Sequence, residues 1–157
     1  MYNHEPKNYI CPFCLIVKEI ENEYVYTKQS EIVYKDKYVT AFIASHWWPN
    51  NKGHVIIIPN KHIENLYDLP ENLSNKIHNL EKQMALALKK VYKCDGVSSR
   101  QHNEPDGGQD VWHYHLHVFP RYKNDNLYTS HREKRKIEPS EKKPFAQKLK
   151  RYFKSHK

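Results

Sequence analysis

The sequence predicts an α+β fold, an antiparallel sheet packed against one long helix, from three observations. Short β-branched runs lie before and after a single helical pattern instead of alternating with helices, as a doubly wound parallel sheet would require. One segment alone, beginning at Pro70, carries apolar residues at spacings of three and four: Leu73, Ile77, Leu80, Met84, Leu88 and Val91. The length, 157 residues, suits one domain that buries roughly two-thirds of its surface.

Residues 31–34 and 38–43 read as two strands joined by the tight polar turn Lys35-Asp36-Lys37. Residues 44–52, including Trp47-Trp48-Pro49-Asn50-Asn51, read as a loop. The run Val55-Ile56-Ile57-Ile58 before Pro59 suits a buried strand. Asp68 and Glu71 are placed to form a capping box at the start of the long helix, and Asp95-Gly96 ends it. Two more strands are expected over residues 97–101 and 111–120, separated by a polar loop at 103–108, and a last helix over 144–153. No run approaches the roughly 18 apolar residues of a membrane span. The first twenty residues carry Glu5 and Glu19 and no apolar signal core, so a cytoplasmic location is expected.

The net charge of +8 is not spread over the chain. Residues 131–157 hold 11 Lys or Arg against 3 Glu, which accounts for the whole excess, while residues 1–130 are neutral. Such a tail is either a solvated helix or a contact for nucleic acid or another polyanion. Three cysteines, two of them in Cys11-Pro12-Phe13-Cys14, make an odd disulfide set and read instead as metal or redox chemistry. Cys94, alone near the end of the long helix, reads as an inert, partly buried thiol.

The sharpest feature is Trp112-His113-Tyr114-His115-Leu116-His117-Val118. In a strand, residues two apart share a face, so three imidazoles would line one side at roughly 7 Å intervals, opposite an apolar side. Two chemistries fit. The imidazoles can ligate one catalytic metal, or one neutral imidazole can be a nucleophile whose free nitrogen attacks while the other donates a hydrogen bond. Gly107-Gly108 allows backbone N–H groups to approach an anion, and Gln109 and Arg121 can add donors.

The run from Asn103 through Gly107-Gly108-Gln109-Asp110 to His117-Val118-Phe119-Pro120-Arg121, with Phe42-Ile43 and Gly53-His54 to His62 upstream, resembles the histidine triad (HIT) superfamily. The resemblance covers residues 11 to about 122. It implies a five-stranded antiparallel sheet with a long helix, here followed by a C-terminal helix, and a homodimer with a continuous ten-stranded sheet. It divides the chain into a HIT domain at 1–125 and a basic, partly helical extension at 126–157.

The resemblance further implies a nucleotide hydrolase or nucleotidyl transferase acting on nucleoside phosphoramidates or dinucleoside polyphosphates. His115 is then the nucleophile at the α-phosphorus, His117 and His54 contact the phosphate, and Gln109 orients the reacting groups. Asn103, with Gly108 and Asp110 beside it, meets the phosphates, and Phe42 lines the nucleotide pocket. In a bacterial branch that this chain resembles, a structural zinc is held at the positions of Cys11, Cys14, His62 and His113. Two departures stand out. Ala44 occupies the place of the usual ribose-binding acid or amide, which shifts that role to Asn50 or the Trp pair. Asp110 stands where Ser or Thr is usual. A nucleotide-binding regulatory module with incidental turnover, and a metal-dependent hydrolase using the triad as ligands, remain the alternatives.

Overall fold

The structure, a computed structural model, describes residues 2–156. Strands β1 (Ile32–Lys35), β2 (Val39–Ile43), β4 (Val55–Pro59), β5 (Gly96–Gln101) and β6 (Leu116–Arg121) form one antiparallel sheet in the order β1-β2-β4-β6-β5. A two-residue strand, β3 (His46–Trp47), lies in the segment read as a loop and pairs with β7 (Arg135–Lys136). The helices are α1 (Pro12–Val17), α2 (Glu71–Tyr92) and α3 (Pro139–Ser155). The α+β architecture expected from the sequence is the one observed.

Local chemistry explains the elements. The β1–β2 turn is closed by Asp36, whose Oδ1 accepts from the N–H groups of Tyr38 at 2.7 Å and Val39 at 2.8 Å. All five residues of β2 and of β4 are buried, as central strands covered on both faces require. Helix α2 buries Leu73, Ile77, Leu80, Met84, Ala87 and Leu88 along one face. Each large side chain of that stripe contributes about 1.5–3 kcal/mol of burial. No helix among the described residues is long and apolar enough to cross a membrane.

Several boundaries differ from the sequence reading, for physical reasons. The capping box at Asp68 and Glu71 does not form: Pro70 is the N-cap without a side-chain cap, and the Asp68 N–H donates to Asn65 Oδ1 at 3.2 Å. The helix ends at Tyr92, where Lys93 turns left-handed with φ 58°. The strand expected from residue 111 begins only at Leu116, because the Tyr114 N–H leaves the ladder to donate to Ile63 O at 2.6 Å. Helix α3 starts at Pro139, not at Pro144, which is exposed inside it.

The basic C-terminal segment packs on the core. Ile137, Ala146, Leu149 and Phe153 are buried in the main cluster. Lys142, fully buried, meets the equally buried Glu31 at 2.6 Å and donates to Tyr26 O at 3.1 Å. The remaining charges of α3, among them Lys143, Lys148, Lys150 and Lys154, face solvent.

After β6 the chain turns around Asp125. Its carboxylate accepts from Arg121 Nε at 2.7 Å and Nη2 at 2.8 Å, and from Asn51 Nδ2 at 2.8 Å. The N–H groups of Tyr122 and Leu127 complete the set at 3.0 and 3.2 Å. Arg121 is therefore held by Asp125 and does not face a phosphate. The guanidinium, above all, holds the carboxyl well below the usual carboxylate range. The stabilisation is present above about pH 4, where an unfolded Asp is ionised, and is lost as pH falls below it. Asp125→Ala should cost about 3 kcal/mol by urea denaturation at pH 7, since it leaves a partly buried arginine unpaired. A change under about 0.5 kcal/mol would contradict this account of the turn.

Candidate active site

The three imidazoles of the motif are held in three different ways. His113 is fully buried, and its Nε2 donates to Pro59 O at 2.9 Å. His115 is buried, and its Nδ1 donates to the His113 carbonyl at 2.7 Å. That bond fixes the tautomer, leaving the Nε2 lone pair bare. His117 is half-buried, with Nδ1 3.3 Å from His54 Nε2. The rings of His115 and His117 are 5.2 Å apart, closer than an extended strand would set them, because only His117 lies in β6.

His54 and His117 both stack on Phe119, at 4.4 and 5.6 Å between ring centres. Burial pushes His54 down to about 3 and His117 well below the ordinary range, with Arg100 and neighbouring imidazoles adding to both. Burial also pushes His115 down. Above pH 6.5 these groups are neutral in folded and unfolded chains alike, and stability is complete. As pH falls below 6.5 the unfolded chain takes up protons that the fold refuses. His54 alone should then remove about 1.4 kcal/mol per pH unit, with half-buried His117 adding less. Urea denaturation at pH 7.5 and 5.5 measures this, and equal stabilities would rule it out.

Two cavities meet at His115 and His117. The first, about 230 Å³, is mostly apolar and includes Phe13, Tyr26, Phe42, Ala44, Ile56 and His46. The second, about 200 Å³, is more polar and includes Trp48, Arg100, His102, Gly108 and His131. Asp110, His115, His117 and Lys134 line both. Asp110 Oδ1 lies 3.7 Å from His115 Nε2, on a side chain that is 70% exposed.

The structure thus brings together His54, His115, His117, Phe42, Gly108 and Asp110. Asn50 lies elsewhere, donating to Asp125 O at 3.1 Å and lining a separate surface cavity. The Trp pair is buried: Trp47 and Trp48 are each 2% exposed, so neither is free to stack on a base. The Gln109 amide is occupied by backbone, donating to Glu64 O at 2.7 Å and Val111 O at 3.0 Å and accepting from the Glu104 N–H at 2.9 Å. Asn103 accepts from the Leu66 N–H at 2.8 Å and exchanges bonds with Gln101.

The glycines shape this loop rather than offering free amides. The Gly108 and Gln109 N–H groups close the turn onto Pro105 O and Glu104 O at 2.9 and 3.1 Å. A Cβ on Gly107 would collide with the Asn103 carbonyl, and Gly108 has φ +85°. Arg100, Lys134, His131 and Tyr26 are pocket residues that the motif reading did not single out. Only the register that sets Arg100 opposite His117 could have pointed to one of them.

Behind the imidazole row, Cys11, Cys14, His62 and His113 place one donor atom each within 4.8 Å of all the others. Cys11 Sγ is 3.3 Å and Cys14 Sγ 3.7 Å from His113 Nδ1, and Cys14 Sγ is 3.2 Å from His62 Nδ1. Cys14 is the thiolate of the pair, pushed down to about 4, first by the Cys11 thiol and then by His113 and His62. The outer nitrogens are anchored too: His113 Nε2 on Pro59 O, and His62 Nε2 on Glu5 at 2.9 Å. Two thiols and two oriented imidazoles at these separations fit a closed tetrahedral zinc site. Among the described residues, no other His, Cys, Asp and Glu side chains form such a group, and the cluster includes neither His115 nor His117.

The chain is similar to known proteins in sequence and in fold. The family described as HIT domain matches residues 26–124. An uncharacterized HIT-like protein of Methanocaldococcus jannaschii is 36% identical over 118 residues, 74% of this chain and 82% of that one. A bis(5'-adenosyl)-triphosphatase of Saccharomyces cerevisiae is 33% identical over 98 residues, 62% of this chain but only 47% of that protein. Among solved structures, a HIT-like protein from Bartonella henselae superposes with a TM-score of 0.77 at 26% identity, covering 94% of this chain and 98% of that one.

Proposed function

Because the chain belongs to the HIT domain family, we propose that it is a nucleotide hydrolase in which His115 Nε2 attacks the α-phosphorus of a nucleoside phosphoramidate or dinucleoside polyphosphate. The observation that carries this reading is the bond from His115 Nδ1 to the His113 carbonyl, which leaves Nε2 bare where the two cavities meet. A lone pair so aimed is a nucleophile that needs no separate base. The named activity of the yeast relative supports the reaction class.

In this reading the nucleoside enters the apolar cavity beside Phe42 and Ala44, and the phosphates lie across His115 and His117. The Nε2–P bond forms as the P–O or P–N bond to the leaving group breaks. Water then displaces the histidine from phosphorus, releasing the nucleoside monophosphate and restoring the lone pair. His54 Nε2 and His117 Nδ1 share a hydrogen bond at 3.3 Å; with His54 as its donor, His117 Nε2–H would serve a phosphoryl oxygen. Gln109 and Asn103 are positioning residues, holding the loop that carries Asp110 and His113.

Cys11, Cys14, His62 and His113 would hold one structural zinc, tying the N-terminal segment to the segment that bears the nucleophile. Thiolate ligands and three free cysteines suit the reducing cytoplasm. A second copy adding across the free edge of β5 would give the homodimer its ten-stranded sheet. Mixing the protein with adenosine phosphoramidate, a guanosine phosphoramidate and diadenosine polyphosphates tests the reading by intact mass. The expected result is a nucleotidyl adduct on His115. Turnover without an adduct on any substrate, even under rapid quenching, would remove the covalent route.

A further inference from the structure

The more polar cavity contains two cations gathered around one aromatic ring. The Arg100 guanidinium lies 4.8 Å from the centre of the Trp48 ring and 5.0 Å from Phe119. Lys134 Nζ lies 5.4 Å from the same indole. Neither has an ion-pair partner among the described residues, whereas Arg121, Arg135 and Lys142 are all paired. Arg100 Nε is buried with no hydrogen-bond partner. Two like charges lie around one ring, and Asp110, the carboxylate that lines the cavity with them, is largely exposed. His102 and His131 complete the wall. Beyond these ring contacts the arrangement leaves a buried guanidinium donor and two positive charges open to a multivalent anion.

The two cavities differ in kind as well as in side. The apolar one suits a nucleoside. The polar one lies across the His115–His117 wall from it, where a group leaving the α-phosphorus would be. We propose that it is a polyphosphate subsite: Arg100 and Lys134 grip the phosphate chain that departs from the nucleotide, so the enzyme favours polyphosphate leaving groups over amines. This rests on the reading of His115 as nucleophile and narrows its substrate class. A protonated amine would meet two positive charges here. A chain of two or more phosphates would satisfy both cations and the open Arg100 Nε. Lys134 comes from the segment between β6 and α3, so the docked C-terminal segment completes the site.

Two measurements on the full chain test the subsite. In calorimetric titration, inorganic tripolyphosphate should bind at least tenfold tighter than orthophosphate. Lys134→Gln and Arg100→Gln should each weaken tripolyphosphate at least tenfold, with Arg100→Lys recovering part of the loss. In turnover, the ratio of kcat/KM for diadenosine tetraphosphate to that for adenosine phosphoramidate should fall at least tenfold in Lys134→Gln. Lys134 makes no side-chain hydrogen bond in the fold, so that variant tests the subsite even where an Arg100 variant misfolds. Equal binding of the two anions, unaffected binding in the glutamine variants, or an unchanged ratio would overturn the proposal. Absence of turnover in the unaltered protein would count against the nucleophile reading, while the titration still judges the subsite.

Discussion

Replacing His115 with alanine should lower nucleotide turnover by about 10⁴-fold or more and abolish the covalent adduct. The size of the effect follows from the lack of a substitute. His113 has both nitrogens engaged, one on Pro59 O and one among the cysteines. His117 has Nδ1 engaged with His54 at 3.3 Å, and in the proposed reading its Nε2 carries the proton that meets the phosphate. Asp110 beside the site is exposed and negatively charged, and His46, His102 and His131 line the cavity walls from other segments of the chain. Binding should change little, since the nucleoside cavity is built by Phe42, Ile56 and their neighbours. Steady-state release of nucleoside monophosphate and nucleotide binding, both at pH 7.5, check the two halves separately. Turnover within tenfold of the unaltered protein would sink the assignment, and a parallel loss of binding would mean that the pocket had collapsed.

What the sequence disclosed was the structure that follows from local periodicity. The stripe from Leu73 to Leu88 is legible because a helix repeats every 3.6 residues regardless of what covers it. The family resemblance assigns different roles to His113, His115 and His117, and the structure holds the three rings by different bonds. Their spacing was not legible, because residues 111–115 obey tertiary bonds such as Tyr114 N–H to Ile63 O.

The same cause hides the rest. Trp47 and Trp48 sit in a polar-looking loop, yet Trp47 packs on Phe145 of α3 and Trp48 on Phe119 of β6, so both are buried. The start of α3 depends on Ile137 and Lys142 finding Ser45 O and Glu31 far away in sequence. Arg100 and Lys134 were lost among 26 basic residues, and only their place together in the wall of one cavity separates them. Gln109 and Asn103 show the converse: the motif marks them, but their amides hold a loop rather than reach the cavities.

Cys14→Ser should be the most damaging substitution outside the catalytic histidines. The expected stoichiometry is one zinc per chain by elemental analysis, kept in His115→Ala and lost in Cys14→Ser. Structural zinc in small sites contributes on the order of 10 kcal/mol of apparent binding energy. Where the rest of the fold is self-supporting, a loss of about 4 kcal/mol and a fall in Tm of about 10 °C are expected. The effect should reach the chemistry as well. The ring of His113 belongs to the cluster, and its backbone carbonyl accepts the Nδ1–H that keeps His115 Nε2 bare. Loosening the ring loosens the carbonyl, so kcat should drop about 10–100-fold, the usual cost of losing an orienting partner. Three outcomes decide between the readings. Zinc lost in both variants would make the triad a metal set and restore the metal-dependent hydrolase. Zinc absent from the unaltered protein, with Cys14→Ser as stable as its parent, would leave the four side chains as a packing cluster. Zinc lost only in Cys14→Ser, with Tm and kcat falling together, would tie the N-terminal cysteines to the orientation of a nucleophile about a hundred residues away.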